Sequence, residues 1–179
     1  CAALAQAFHQ VELECRGKDS WNALVVAAND TISYLDLERY RRVKGAWLSF
    51  MVFADGAAAL VLSSSGIGPR LAGTYHTYNG VHPLVTYRGG GGMVPTNLDT
   101  IDEHVFLMDA RDVAIQFIPA MLRVWQYFSD TFHLKIDDIA RWYLHQANYR
   151  LIQRITRELK VAPERVPTNV DRLANTVSP

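Results

Sequence analysis

Cys1, His145 and Asn175 carry a thiol, an imidazole and a carboxamide, the groups in this sequence best suited to nucleophilic chemistry. Cys1 heads a stretch with helical spacing, where unpaired backbone N–H groups and the positive end of the helix dipole lower a thiol's pKa and favour the thiolate. A thiol without polar company is also an ordinary core residue, and Cys15 has only that reading. His145 sits in "WYLHQAN", residues 142–148. An apolar strand reading there ends in an imidazole and two carboxamides, and strand ends are where α/β folds gather ligands and catalytic groups. If that turn is buried, each polar group needs a partner. The plainer reading is a polar turn before a helix. Asn175 closes "NVDRLAN", where asparagine ordinarily serves a turn. His9, His76, His82, His104 and His133 offer no i,i+4 pair and no paired-cysteine frame, so no metal site is expected.

The elements that would position these groups alternate. Leu4, Phe8, Val11 and Cys15 recur every three or four residues and predict an amphipathic or largely buried helix over Ala2–Cys15. "NALVVAAN" (22–29) and "AAALVLSSS" after Gly56 read as strands buried on both faces. "DLERYRRVKGAW" between them reads as a charged surface excursion. "SSSGIGP" (63–69) is the best boundary, followed by a third strand, "RLAGTYHTYN". "YRGGGGMVPTN" is a flexible loop; no Lys-Ser/Thr follows it, which argues against a phosphate cradle. A long helix is expected from about Val105 to Phe132, its apolar stripe formed by Phe106, Val113, Phe117, Met121, Val124 and Phe128, with Pro119 kinking or restarting it. "IDDIARWYLHQAN" then predicts a short helix, a buried strand and the start of a further helix, "YRLIQRITRELKV". This alternation argues for α/β layering.

Bulk composition excludes several classes. The 179 residues hold 18 Lys plus Arg and 18 Asp plus Glu, so no global field recruits nucleic acid or a membrane surface. No apolar run approaches the roughly 20 residues of a membrane span, and the start lacks the layout of a secretory signal, so a cytoplasmic protein is expected. On one helix, Cys1 and Cys15 would lie about 21 Å apart, too far to bridge, and are expected as reduced thiols.

In chain order, the leading Cys1, "FADGAAALVL" (53–62), "HQAN" (145–148) and "NVDRLANT" (169–176) resemble the motifs of the thiolase superfamily, most closely the β-ketoacyl-acyl carrier protein synthase III group. The resemblance implies a thiolase-like αβαβα layered fold, incomplete in this chain. Residues 1–66 would form the latter part of the N-terminal half, and 67–179 the C-terminal half cut before its last strands. The chain would thus be an internal portion of a family member, with exposed sheet edges when isolated.

The resemblance also implies a triad of Cys1, His145 and Asn175. Cys1 would hold the acyl group of a coenzyme A or phosphopantetheine thioester. His145 and Asn175 would donate hydrogen bonds to the enolate left when malonyl-acyl carrier protein loses carbon dioxide, in fatty-acid or polyketide initiation. Asn148 and Arg111 would contact the pantetheine or coenzyme A moiety. Arg150, Arg154 and Arg157, at i, i+4 and i+7, share a helix face that would dock the acidic acyl carrier protein, although such stripes are usually plain solvated surface. A homodimer with no permanently bound cofactor is implied. Ala54, Ala58 and Ala174 stand where the family has glycines, and "MDARD" stands where it often has a glycine-asparagine pair. Two other functions stay open: acyl transfer from Cys1 to an alcohol or amine, and a non-catalytic supporting subunit.

Overall fold

The structure, a computed structural model, describes residues 3–31, 36–66, 68–77, 85–87, 95 and 97–177. Cys1 and most of the glycine loop lie outside these residues. Helix α1 (Ala3–Cys15) is followed by strand β1 (Asn22–Asn29), short helices α2 (Leu37–Arg42) and α3 (Trp47–Val52), and strand β2 (Gly56–Ser63). Strands β3 (Val85–Tyr87) and β4 (Phe106–Met108) precede the long helix α4 (Ala110–Phe132). Helices α5 (Tyr149–Glu158) and α6 (Val170–Leu173) complete the order. Helices and strands are mixed in an incomplete α/β arrangement of two antiparallel pairs, β1 with β2 and β3 with β4.

Both long strands form where the apolar runs predict, paired from Asn22 opposite Ser63 to Asn29 opposite Gly56. They are not buried on both faces: Leu24 is 68% exposed, Val26 62% and Val61 67%. An apolar run records a strand's preference for cover, and among the described residues α1 is the helix that packs on β1. Helix α1 likewise has no buried residue; Leu4, Phe8, Val11 and Cys15 are half-buried along one side. The amphipathic reading of α1 holds and the buried one does not. Cys15 is a free thiol.

The charged excursion between β1 and β2 is more than surface. Tyr40 on α2 is 1% exposed, and with Ala46 and Val105 it centres a small core against Val43 and Leu107. Its hydroxyl accepts a hydrogen bond from the Phe106 N–H at 3.0 Å, which ties α2 to the start of β4. Residues 71–77 form no strand; this stretch instead sets Tyr75 against Tyr127 of α4 in a stacked pair with centroids 3.8 Å apart.

The long helix starts later than its apolar stripe suggests. Phe106 belongs to β4, and Asp109 stops the strand by capping α4, its side chain accepting the Asp112 N–H at 2.9 Å. Helix α4 then runs unbroken through Pro119. The missing N–H forfeits one hydrogen bond, while Phe117, Ile118 and Met121 on either side stay packed in the core and hold the helix together. That core gathers Ile118, Leu144, Leu151, Ile152, Ile155, Leu159, Val161 and Val166, so α4, α5 and the "WYL" segment share one apolar centre.

Candidate active site

The segment before His145 is extended but unpaired: residues 141–146 carry no ladder. A strand assignment needs a neighbour as well as an apolar sequence, and none is present among the described residues. Side chains and single bonds hold the segment instead. The Trp142 N–H donates to the Arg165 carbonyl at 2.9 Å, Trp142 packs edge-on to Trp125 with centroids 4.9 Å apart, and Leu144 is buried. The Arg165 guanidinium meanwhile donates to the carbonyls of Ile136 and Ile139, fastening the 3-10 turn that precedes the segment.

His145 follows at the rim of this core, half-buried. Burial is the largest cause pushing its pKa down from 6.5 to about 4, because a charged imidazole would lose hydration there. At neutral pH the ring is therefore uncharged and carries one N–H to donate and one nitrogen to accept. The Ala147 N–H turns back onto the His145 carbonyl at 2.9 Å, and Asn148 opens α5 as its N-cap, its Oδ1 accepting the Leu151 N–H at 2.9 Å. So one of the two carboxamides is structural at its oxygen, and its amide nitrogen projects from an exposed residue.

Asn175 reaches its place by backbone pairing. It forms a parallel bridge with Phe53: the Ala54 N–H donates to the Asn175 carbonyl at 2.9 Å and the Asn175 N–H to Val52 at 3.1 Å. The "FADG" and "LANT" motifs, remote in sequence, are thereby joined. Asn175 is 5% exposed, and its Oδ1 accepts the Val177 N–H at 2.9 Å. That bond fixes which way the carboxamide faces, and its Nδ2 is the donor the group can offer. Asp55 of the same motif accepts the Thr31 N–H at 2.7 Å and so holds the exit of β1 to the entry of β2.

Ala174, where the resembled family has glycine, adopts φ 55° and ψ −160°, a region that a Cβ disfavours. Ala174→Gly is expected to raise stability by about 1 kcal/mol, since relief of strain exceeds the added freedom of the unfolded chain. A urea midpoint below the parent's would refute this. Ala54 and Ala58 need no such relief: neither has positive φ, and Ala58 sits regularly in β2 opposite Ala27.

The remaining expected residues occupy two places. Arg150, Arg154 and Arg157 are exposed on the outer side of α5, whose inner side buries Leu151, Ile152 and Ile155. Arg157 also borders a groove with Tyr149, Gln153, Thr156 and Pro163. Arg111 is exposed in the first turn of α4 and forms no ion pair among the described residues. The cation there opposes the helix dipole, an unfavourable placement partly offset by Asp109 and Asp112. Sequence reasoning gave Gln146 no role of its own, yet it has the most polar contacts of the turn. The available signal was the requirement that two carboxamides in a half-buried turn each find partners. Among the described residues no cluster of His, Cys, Asp or Glu could hold a metal ion, and no helix is long and apolar enough to cross a membrane.

Known proteins resemble this arrangement. The family profile described as 3-oxoacyl-[acyl-carrier-protein] synthase III C terminal matches residues 130–179. Beta-ketoacyl-[acyl-carrier-protein] synthase III of Rhizorhabdus wittichii is 29% identical over 178 residues, 98% of this chain and 52% of that protein. The protein of that name from Nitratidesulfovibrio vulgaris is 33% identical over 128 residues, 70% of this chain and 39% of its own length. Among solved structures, 3-oxoacyl-(acyl carrier protein) synthase III from Pseudomonas aeruginosa PAO1 superposes with a TM-score of 0.77 at 21% identity, over 99% of this chain and 53% of that one. A tetronic acid condensing enzyme gives 0.74 at 19%, over 98% and 53%. Structural likeness at such identities speaks to the fold alone. The chain spans about half the length, or less, of the curated relatives it matches.

Proposed function

From the premise that the chain belongs to the β-ketoacyl-acyl carrier protein synthase III-like branch of the thiolase superfamily, we propose that it carries the catalytic residues of a decarboxylating condensing enzyme. Cys1 thiolate attacks the carbonyl of an acyl thioester and expels the donor thiol, leaving the acyl group on sulfur. Malonyl-acyl carrier protein then loses carbon dioxide, and the electron pair of the broken bond delocalises onto the thioester oxygen. His145 and Asn175 donate hydrogen bonds to that oxygen. The resulting carbanion attacks the acyl carbonyl on Cys1, a carbon-carbon bond forms, and the thiolate leaves.

The observation that supports this reading is the state of the two donors. The Asn175 carboxamide has its oxygen engaged by Val177, which turns its Nδ2 into the available group, and burial keeps His145 neutral near pH 7. A neutral imidazole stabilises an enolate without offering the acidic proton that would quench it. Carrier protein would approach over the outer side of α5, where Arg150, Arg154 and Arg157 supply a local positive stripe, with Asn148 and Arg111 meeting the pantetheine arm.

The test incubates the protein bearing this chain with an isotopically labelled acyl thioester and measures mass added to the peptide containing Cys1. Malonyl-acyl carrier protein is then added and carbon dioxide release is followed. An adduct followed by decarboxylation is the expected result. An adduct without carbon dioxide would mark simple acyl transfer, and no adduct would mark a supporting subunit; either overturns the proposal.

A further inference from the structure

We infer that Gln146 is a positioning residue that fastens the turn carrying His145 to the short helix whose exit carries Asn175. Helix α6 has no side-chain cap of its own: Asn169, at its N-cap, makes no such bond. Gln146 supplies the cap from across the fold. Its Oε1 accepts the N–H groups of Asn169 at 3.0 Å and Val170 at 3.3 Å. Its Nε2 donates to the Leu144 carbonyl at 2.9 Å and, more weakly, to the Pro167 carbonyl at 3.5 Å. One side chain thus engages the backbone immediately before His145 and the start of the helix whose C-cap, Ala174, precedes Asn175.

The geometry accounts for the residue type. The position needs an acceptor and a donor on one planar group, at a reach one methylene longer than asparagine provides. Glutamate keeps the acceptor and loses the donor; methionine fills the volume and loses both. Without the clamp, the two N–H groups at the start of α6 lack a protein partner, and a four-residue helix has little strength of its own to hold Asn175 in place. Asn175 would stay anchored to Phe53 by its backbone bridge while its distance from His145 became variable. A donor pair that must meet one oxygen tolerates little of that freedom.

This inference rests on the catalytic reading of His145 and Asn175, so its test carries a readout that does not. In the protein bearing this chain, Gln146→Met and Gln146→Glu are compared with the parent for acyl loading of Cys1, for malonyl decarboxylation after loading, and for hydrogen exchange of the Asn169 and Val170 amides. Gln146→Met is expected to load acyl groups within about twofold of the parent. Its decarboxylation kcat should fall about 10- to 100-fold with KM little changed, while the two amides exchange about tenfold faster. Gln146→Glu should recover much of the amide protection and part of the rate. Unchanged decarboxylation in Gln146→Met overturns the inference, as does an equal loss of loading and decarboxylation in a folded variant, which would mark general support. Should the parent itself form no adduct, the catalytic reading fails by that control. Amide exchange then decides alone: parent-like protection in both variants overturns the clamp.

Discussion

Replacing Cys1 with alanine is expected to remove the acyl adduct altogether, whereas His145→Ala and Asn175→Asp should still form it and lose malonyl decarboxylation by about 10²- to 10³-fold. The split follows from the proposed division of labour. Loading needs the thiolate alone; decarboxylation needs two donors on one oxygen. Aspartate is the informative change at position 175, because its carboxylate still accepts the Val177 N–H that closes the local turn while it cannot donate as Nδ2 does. Loss of activity in Asn175→Asp with the fold intact therefore reports the exchange of a donor for a carboxylate at the oxyanion and not a collapsed loop. A double variant at 145 and 175 should be little worse than either single one, since two donors acting as one unit are non-additive. The measurements are single-turnover mass spectrometry of the Cys1 peptide and carbon dioxide release from malonyl-acyl carrier protein. If His145→Ala decarboxylates at the parental rate, the imidazole has no part in the reaction.

Acid should weaken this fold through His145. Its folded-state pKa lies near 4, below the 6.5 of an unfolded chain, so between those values the unfolded state binds a proton that the folded state refuses. Stability is therefore unaffected by this group above about pH 6.5, falls as pH drops toward 4, and reaches its full loss below 4. Allowing for the ring's partial exposure, that loss is on the order of 2 kcal/mol. Urea unfolding of the protein bearing this chain from pH 7.5 to 4 should show the decline, and His145→Gln, which has no proton to bind, should flatten it. The same shift predicts that decarboxylation persists at pH 5.5, where an ordinary histidine would already be cationic. An imidazole resonance in the folded protein that titrates near 6.5 would sink both expectations.

The elements expected from local pattern are the ones whose own residues carry the signal, whether or not their partners lie close in sequence. The spacing of Leu4, Phe8, Val11 and Cys15 yielded α1, and "YRLIQRITRELK" yielded α5, with its arginines outside and Leu151, Ile152 and Ile155 inside. The apolar runs at 22–29 and 57–65 yielded β1 and, shifted by one or two residues, β2. A helix leaves a period of about 3.6 residues and a strand rich in apolar residues leaves a short continuous run, so both leave a mark in the sequence. The ordered motifs yielded the family resemblance, because each needs a residue type at one position and not a particular neighbour.

What required the tertiary structure was every property that depends on a partner remote in the chain. The depth of β1 and β2 and the unpaired state of the segment before His145 reflect which neighbours are present, a quantity absent from the strands themselves. Tyr40, set among four arginine and glutamate neighbours, looked like surface and is buried because Val105 and Leu107, far along the chain, pack with it while Phe106 offers its N–H to the hydroxyl. The union of "FADG" with "LANT", the orientation of the Asn175 amide, the lowered pKa of His145 and the four bonds of Gln146 share one cause. Each is set by the distance and burial of groups brought together by the folded backbone, some tens of residues away, as Asn169 is from Gln146, and some, as Val177 is from Asn175, in a turn that the surrounding fold holds.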